Sequence, residues 1–253
     1  MKRIPTTAAP RSVRLNRYLS MCGISSRRKA DQLILEGKVE VDHHVIRNLG
    51  TKIDPERSRV FVEGKRVVQS ISRIYLVLNK PKDTITTLHD ERGRTTVMSL
   101  VRSKERVYPV GRLDRNTTGV LLFTNDGEFA HRLMHPKYEI PKSYAVTTDR
   151  AVTRDHMEQL RRGIQLRDGM TAPADVVVFQ GSGGKKLGIV IHEGRNRQVR
   201  NMFEALGYEV RNLDRVAYGP VTKEGLARGE ARSLNRAEVR QLEQMAGIEE
   251  QYQ

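Results

Sequence analysis

With a single cysteine, Cys22, the chain can form no internal disulfide, which fits a reducing compartment and a cytoplasmic location. No apolar stretch approaches the roughly 18 residues of a membrane span, so no membrane partner is expected. The first ten residues, Met1 to Pro10, lack the apolar core of a secretory signal; residues 1–11 read as a disordered basic arm. Metal-ligand patterns are equally scarce. His131 and His135 stand four apart, but Arg132 occupies the place of a zinc protease's glutamate, and no Cys–x–x–Cys follows, so no metal site is expected. Gly181 to Gly184, followed by Lys185 and Lys186, lack the spacing and the Ser/Thr of a phosphate-binding loop. No glycine-rich turn suits a nucleotide or a methyl donor, and the chemistry is expected to need no cofactor.

Acidic residues are also in short supply. The 253 residues hold 45 Lys and Arg against 30 Asp and Glu, a net charge of +15. Such a field attracts polyanions, nucleic acid first among them; the bland alternative is solubility through surface charge. The distribution favours nucleic acid. Residues 1–66 carry fifteen Lys and Arg against seven Asp and Glu, so a quarter of the chain holds half of the excess.

Residues 12–67 form a candidate small domain. Leu15, Tyr18, Leu19 and Cys22 recur at helical spacing between a capping Ser12 and a terminating Gly23. A second helix is expected from Ser25 or Ser26 to Glu36, burying Ala30, Leu33 and Ile34 before Gly37. Strand-like runs follow at Lys38–Val41 and Arg59–Val62. Residues 68–72 read as a linker, and 73–253 as a larger domain. Its expected strands are Arg73–Asn79, Gly119–Thr124, Ser143–Thr148, Ala174–Phe179, Leu187–His192 and Val210–Tyr218. Its expected helices are Glu128–Met134, Arg154–Arg162, Asn196–Leu206 and Arg236–Met245. Short turns between strands favour an α+β fold on a mixed or antiparallel sheet.

The second helix breaks a local rule. Arg27, Arg28 and Lys29 occupy its first turn, where the helix dipole disfavours cations by about 0.3–1 kcal/mol each, and only Asp31 is close. A docked phosphate backbone would supply the missing negative charge; otherwise the cluster is a solvated face. Arg14 to Leu19, Gly23 to Ala30 and Gly37 to Val41 together resemble the small RNA-binding domain of the S-four type, named after a small-subunit ribosomal protein. The resemblance implies that Arg14, Arg17, Arg27, Arg28 and Lys29 contact RNA.

A further motif, Gly111-Arg112-Leu113-Asp114-Arg115-Asn116-Thr117-Thr118-Gly119, is a polar loop running into an apolar strand. As a bare pattern, Asp114 serves equally as an Asx-turn residue or as a catalytic carboxylate. Arg112 and Arg115 flank it and place it in a positive field. The segment resembles the signature of pseudouridine synthases, in particular the RsuA/RluB branch that modifies ribosomal RNA. Lys142-Ser143-Tyr144 resembles that family's lysine–x–tyrosine motif, and Glu193-Gly194-Arg195-Asn196-Arg197-Gln198-Val199-Arg200 a third. Arg215 to Val221 extends the likeness towards the C-terminus.

The resemblance implies that Asp114 is the essential residue, that Tyr144 stacks on the target base and that Arg200 pairs with Asp114. Arg112, Arg195 and Arg197 are expected to contact RNA. The implied reaction is the isomerisation of a ribosomal uridine, with large-subunit RNA or an assembly intermediate as partner and a monomer as the working form. The rival classes are a non-catalytic RNA-binding or ribosome-assembly protein, which residues 1–66 fit equally, and an RNA methyltransferase, which needs the glycine loop that is missing. Arg200 flanks an apolar stripe of Val199, Met202, Phe203 and Leu206, so its guanidinium is expected to be partly buried and to need a carboxylate.

Overall fold

The computed structural model describes residues 12–68, 72–88 and 90–248. The basic arm expected at 1–11 and residues 69–71 of the expected linker lie outside that range. The chain divides into two compact units, Met1–Arg73 and Ile74–Gln253.

In the first unit, Val13–Arg14 (β1) pairs with Lys52–Ile53 (β4), and the Leu15 N–H donates to the Thr51 carbonyl at 2.9 Å. The helix expected from Ser12 therefore starts at Leu15, because a strand has taken the preceding backbone groups. Helix α1 (Leu15–Met21) buries Leu15, Tyr18 and Leu19, and Gly23 follows in the left-handed conformation at φ +75°. Helix α2 (Arg27–Leu35) is capped by Ser26, whose hydroxyl accepts from the Lys29 N–H at 3.2 Å. Strands β2 (Val39–Val41), β3 (His44–Ile46), β5 (Val60–Val62) and β6 (Lys65–Val67) form an antiparallel sheet in the order β3-β2-β5-β6. Alternation in β2 and β5 turns Val39, Val41, Val60 and Val62 onto Leu19, Ala30 and Ile34.

The second unit is built on a nine-stranded sheet. Its main strands are β7 (Tyr75–Lys80), β9 (Thr117–Thr124), β10 (Lys142–Thr148), β13 (Asp175–Val178), β14 (Lys186–Ile191), β15 (Val210–Tyr218) and β17 (Ala231–Ser233), in the order β13-β14-β10-β15-β9-β7-β17. Short strands β8 (Tyr108–Pro109) and β16 (Val221–Thr222) join β9 and β15, and β11 (Gln165–Leu166) pairs with β12 (Gly169–Met170) as a separate hairpin. Pairing is antiparallel throughout except between β9 and β15, which run parallel. The sheet is thus mixed and the fold α+β.

Every residue of β9 is buried, because the strand has a core on each face. Leu121 and Phe123 pack with Met202 and Phe203 of α5 (Gln198–Ala205) and Leu160 of α4 (Arg154–Arg162). Val120 and Leu122 pack with Phe129 and Leu133 of α3 (Gly127–Met134) and Leu242 of α6 (Arg236–Met245). Each such side chain contributes roughly 1.5–3 kcal/mol on burial, so β9 is a rigid axis for whatever loop precedes it. Asp126, Thr153 and Asn235 cap α3, α4 and α6 with their side-chain oxygens.

Candidate active site

Asp114 lies in the loop between β8 and β9, and that loop is held from beneath. The Thr86 hydroxyl donates to the Leu113 carbonyl at 2.7 Å, and the Thr117 N–H closes a turn onto the Asp114 carbonyl at 3.0 Å. Lys80, at the end of β7, is wholly buried. Its ammonium donates to the carbonyls of Thr117 (2.9 Å), Asp114 (3.1 Å), Pro81 (3.1 Å) and Arg115 (3.3 Å). One cation thus gathers three carbonyls of the Asp114 loop, as a bound metal ion would. Burial pushes the Lys80 pKa down to about 8, against the opposing pull of the Asp114 and Asp83 carboxylates. Sequence reading missed Lys80; its one signal is a lysine closing an apolar strand just before Pro81.

The Asp114 side chain, 37% exposed, faces a cleft. Its ionic partner is Arg197, whose Nη1 stands 3.5 Å from Oδ2. Arg200 does not take the expected place. It is buried, 9% exposed, and its Nη1 donates to the Val210 carbonyl at 2.8 Å; among the described residues no ion pair joins it to Asp114. The guanidinium meets its need for an acceptor with strand backbone instead of a carboxylate. Burial, then the charge of Arg197, lowers the Arg200 pKa, and Asp114 and Glu204 oppose them from nearby. Nor does Arg115 turn to Asp114: it pairs with Asp83 at 2.9 Å.

Alternation along β10 puts Lys142, Tyr144 and Val146 on one buried face. Tyr144 sits opposite Ile189 of β14 and Arg215 of β15, and Arg215 in turn sits opposite Gly119 of β9. The approach of β15 to β9 requires a glycine. Gly119 has φ +103°, and a Cβ there would lie 2.1 Å from the Arg215 carbonyl. Three distant segments are thereby brought to one cleft, lined by Asp114, Tyr144 and Arg197 together with Arg112, Lys142 and Arg215.

Arg195 also lines the cleft, but its guanidinium bonds to Glu193 and to the carbonyls of Gly169 and Met170, tying the β11–β12 hairpin to the start of α5. Among the residues expected to touch RNA, Arg112 and Arg197 are exposed on the second unit. Arg14, Arg17, Arg27, Arg28 and Lys29 are exposed on the first, with no acid in the first turn of α2 and Asp31 engaged by Asn16 at 2.8 Å.

Comparison with known proteins matches residues 74–205 to the model of the RNA pseudouridylate synthase family, and residues 13–57 to the S4 domain. The chain belongs to the RNA pseudouridine synthase family. The synthase is 44% identical over 244 residues to an uncharacterised RNA pseudouridine synthase of Mycobacterium tuberculosis, covering 94% of this chain and 96% of the relative. It is 43% identical over 237 residues to a ribosomal large subunit pseudouridine synthase B of Bacillus subtilis, covering 92% and 96%. A crystal structure of a pseudouridylate synthase superposes with a TM-score of 0.67 at 29% identity, covering 91% of the synthase and all of that chain. The synthase is an isomerase of the RsuA/RluB type that acts on RNA, with an S4 domain preceding its catalytic domain.

Proposed function

We propose that the synthase isomerises a uridine of large-subunit ribosomal RNA, with Asp114 as the catalytic carboxylate and without a cofactor. The observation that carries this reading is the setting of Asp114: its carboxylate faces a cleft whose lining also includes Tyr144 and the basic side chains of Arg112, Lys142, Arg195, Arg197 and Arg215. The choice of large-subunit RNA is supported by the relatives from Bacillus subtilis and Pseudomonas aeruginosa, both named for the large ribosomal subunit.

Isomerisation breaks the bond from C1′ of the ribose to N1 of uracil, turns the ring and rejoins C1′ to C5. It needs no redox change and no group donor. Asp114 acts on the ribose, either by adding to C1′ or by taking the C2′ proton. Tyr144 offers a flat, buried ring on which an extruded base stacks, and the cost of a few kcal/mol for extrusion is offset by phosphate contacts.

Asp114→Asn keeps the shape of the side chain and removes its charge. Release of tritium from ribosomal RNA labelled at uracil C5 should vanish in this variant while RNA binding persists; near-normal release would sink the catalytic assignment. Mapping pseudouridines in ribosomal RNA from cells lacking the protein tests the substrate, and the missing modification should lie in the large subunit.

A further inference from the structure

Two residues that line the cleft each carry a buried polar atom with no hydrogen-bond partner among the described residues. Arg215 is 3% exposed; its Nε donates to the Val120 carbonyl at 2.7 Å and its Nη1 reaches the Tyr144 hydroxyl only at 3.5 Å. Its Nη2 is buried and meets no acceptor among the described residues, and the Thr117 hydroxyl is likewise buried and unpartnered. Both residues line the cleft that Asp114 faces. A buried donor left unmade costs roughly 1–3 kcal/mol, and a charged one more. The fold accepts that cost twice within one cleft.

The charges around Arg215 deepen the pattern. Lys142 is also buried, and its Nζ lies 5.2 Å from the centre of the Tyr218 ring while the Arg215 Cζ lies 5.1 Å from it. Among the described residues five cations line the cleft, Arg112, Lys142, Arg195, Arg197 and Arg215, against one carboxylate, that of Asp114, which Arg197 already engages. Exposed arginines such as Arg112 and Arg197 suit phosphates at the rim. Arg215 lies deeper, at the hydroxyl edge of Tyr144, where the carbonyl oxygens of a base stacked on that ring would emerge.

We propose that Arg215 and Thr117 form the subsite for the uracil base, with the Arg215 guanidinium donating to a uracil carbonyl and stabilising the negative charge the ring carries once detached from the ribose. The inference rests on Asp114 being the catalytic carboxylate of this cleft. When N1–C1′ breaks, the bonding pair leaves with the base and spreads over N1, O2 and O4. C1′ regains its bond from an Asp114 oxygen, or from the C2′–H pair while that proton passes to Asp114. After the ring turns, a pair from C5 closes the new bond to C1′, Asp114 releases C1′ or returns the proton to C2′, and the C5 proton leaves to solvent. No further reactant is needed. Between the two glycosidic bonds the ring is an anion, and a buried, preorganised cation at its carbonyl is the group that lowers that barrier. The Thr117 hydroxyl accepts from the uracil N3–H. Cytosine carries an amino donor in place of O4, so a guanidinium donating at that position meets it donor to donor, whereas the threonine hydroxyl can turn to suit either base.

The test is single-turnover tritium release from C5-labelled ribosomal RNA at saturating full-length enzyme, with RNA affinity and thermal stability measured in parallel. Arg215→Gln should slow release by about a hundredfold, the scale of losing one preorganised donor, with RNA affinity changed less than twofold. Arg215→Lys should recover part of the loss, and millimolar methylguanidine should partly rescue Arg215→Ala. Thr117→Val keeps the side-chain shape and removes a buried unmade hydroxyl, so it should slow release about tenfold while raising Tm. Release within twofold of wild type in both Arg215→Gln and Thr117→Val overturns the proposal. So does a loss confined to RNA affinity and its salt slope, which would make Arg215 a phosphate contact. Full activity of Asp114→Asn would instead remove the reading of the cleft on which the inference stands.

Discussion

Arg197 reaches the Asp114 carboxylate from an unfavourable backbone: it precedes α5 in the left-handed conformation, φ 50° and ψ 28°, with its Nη1 3.5 Å from Oδ2. For an L-residue with a side chain this conformation costs roughly 1–2 kcal/mol. The ion pair, half exposed at both ends, contributes at most about 1 kcal/mol to stability. Arg197 also pairs with Glu204, its Nη2 3.5 Å from Oε1, so substitution must separate a role in the cleft from one at the helix start.

Arg197→Gly relieves the strain and removes the guanidinium. Stability measured by urea unfolding should stay within about 1 kcal/mol of wild type, because relief of strain is set against the greater freedom of glycine in the unfolded chain. Turnover should fall by about tenfold, the worth of roughly 1.4 kcal/mol in the barrier. Parallel losses of stability and turnover would show that Arg197 only braces the helix start.

Arg200 makes the opposite case. Arg200→Ala leaves the Val210 carbonyl without its donor at 2.8 Å, so it should destabilise the protein by about 1–3 kcal/mol. Activity should fall with it as β15 loosens, and Arg200→Lys should restore part of both. If Arg200→Ala abolishes turnover while Tm stays unmoved, Arg200 acts directly on Asp114 or RNA rather than through the strand.

Lys80 links the Asp114 loop to pH. Its pKa is pushed down to about 8, so above that value the ammonium becomes an amine with two N–H groups where four carbonyls need donors. Turnover should therefore decline as pH rises through about 8. Stability should move the other way. Between about pH 8 and the ordinary lysine value near 10.4, the unfolded chain binds more protons than the folded one, so this group's penalty, full below about 8, fades as pH rises. Lys142, lowered to about 8 by burial and then by the Arg215 charge, adds to the same stability slope. The loss of turnover should persist in Lys142→Met; if it disappears there, Lys142 is its source.

Replacing Arg27, Arg28 and Lys29 with Gln should weaken RNA binding and reduce the slope of log affinity against log salt by about 2–3, as expected for lost phosphate contacts. Thermal stability should hold or rise slightly, since cations leave the positive end of α2. An unchanged salt slope in filter-binding assays would reduce the cluster to a solvated face.

Much of this protein is legible in its amino-acid sequence. Helices Arg154–Arg162 and Arg236–Met245 and strand Val210–Tyr218 have the bounds that periodicity and capping residues predict, because those signals are local. Asp114, Tyr144 and the basic first turn of α2 were legible as motifs for the same reason. What the residue order could not convey depends on contacts across long stretches of chain. Val13 and Arg14 read as helix, yet strand β4, some forty residues on, captures their backbone. Lys80 falls just past the expected strand Arg73–Asn79, and only the folding of residues 114–117 over it makes it the centre of a carbonyl cage. The choice of Arg197 over Arg200 as partner to Asp114 turns on a left-handed residue at a helix start and on a strand carbonyl ten residues away. Arg215 meets Tyr144 through the register of β15 against β10, and meets the Asp114 loop through a glycine that lets β15 run alongside β9. Hydrophobic period and helix caps act over a few residues, whereas a burial site for charge is created only when distant backbones converge to exclude water and present their carbonyls.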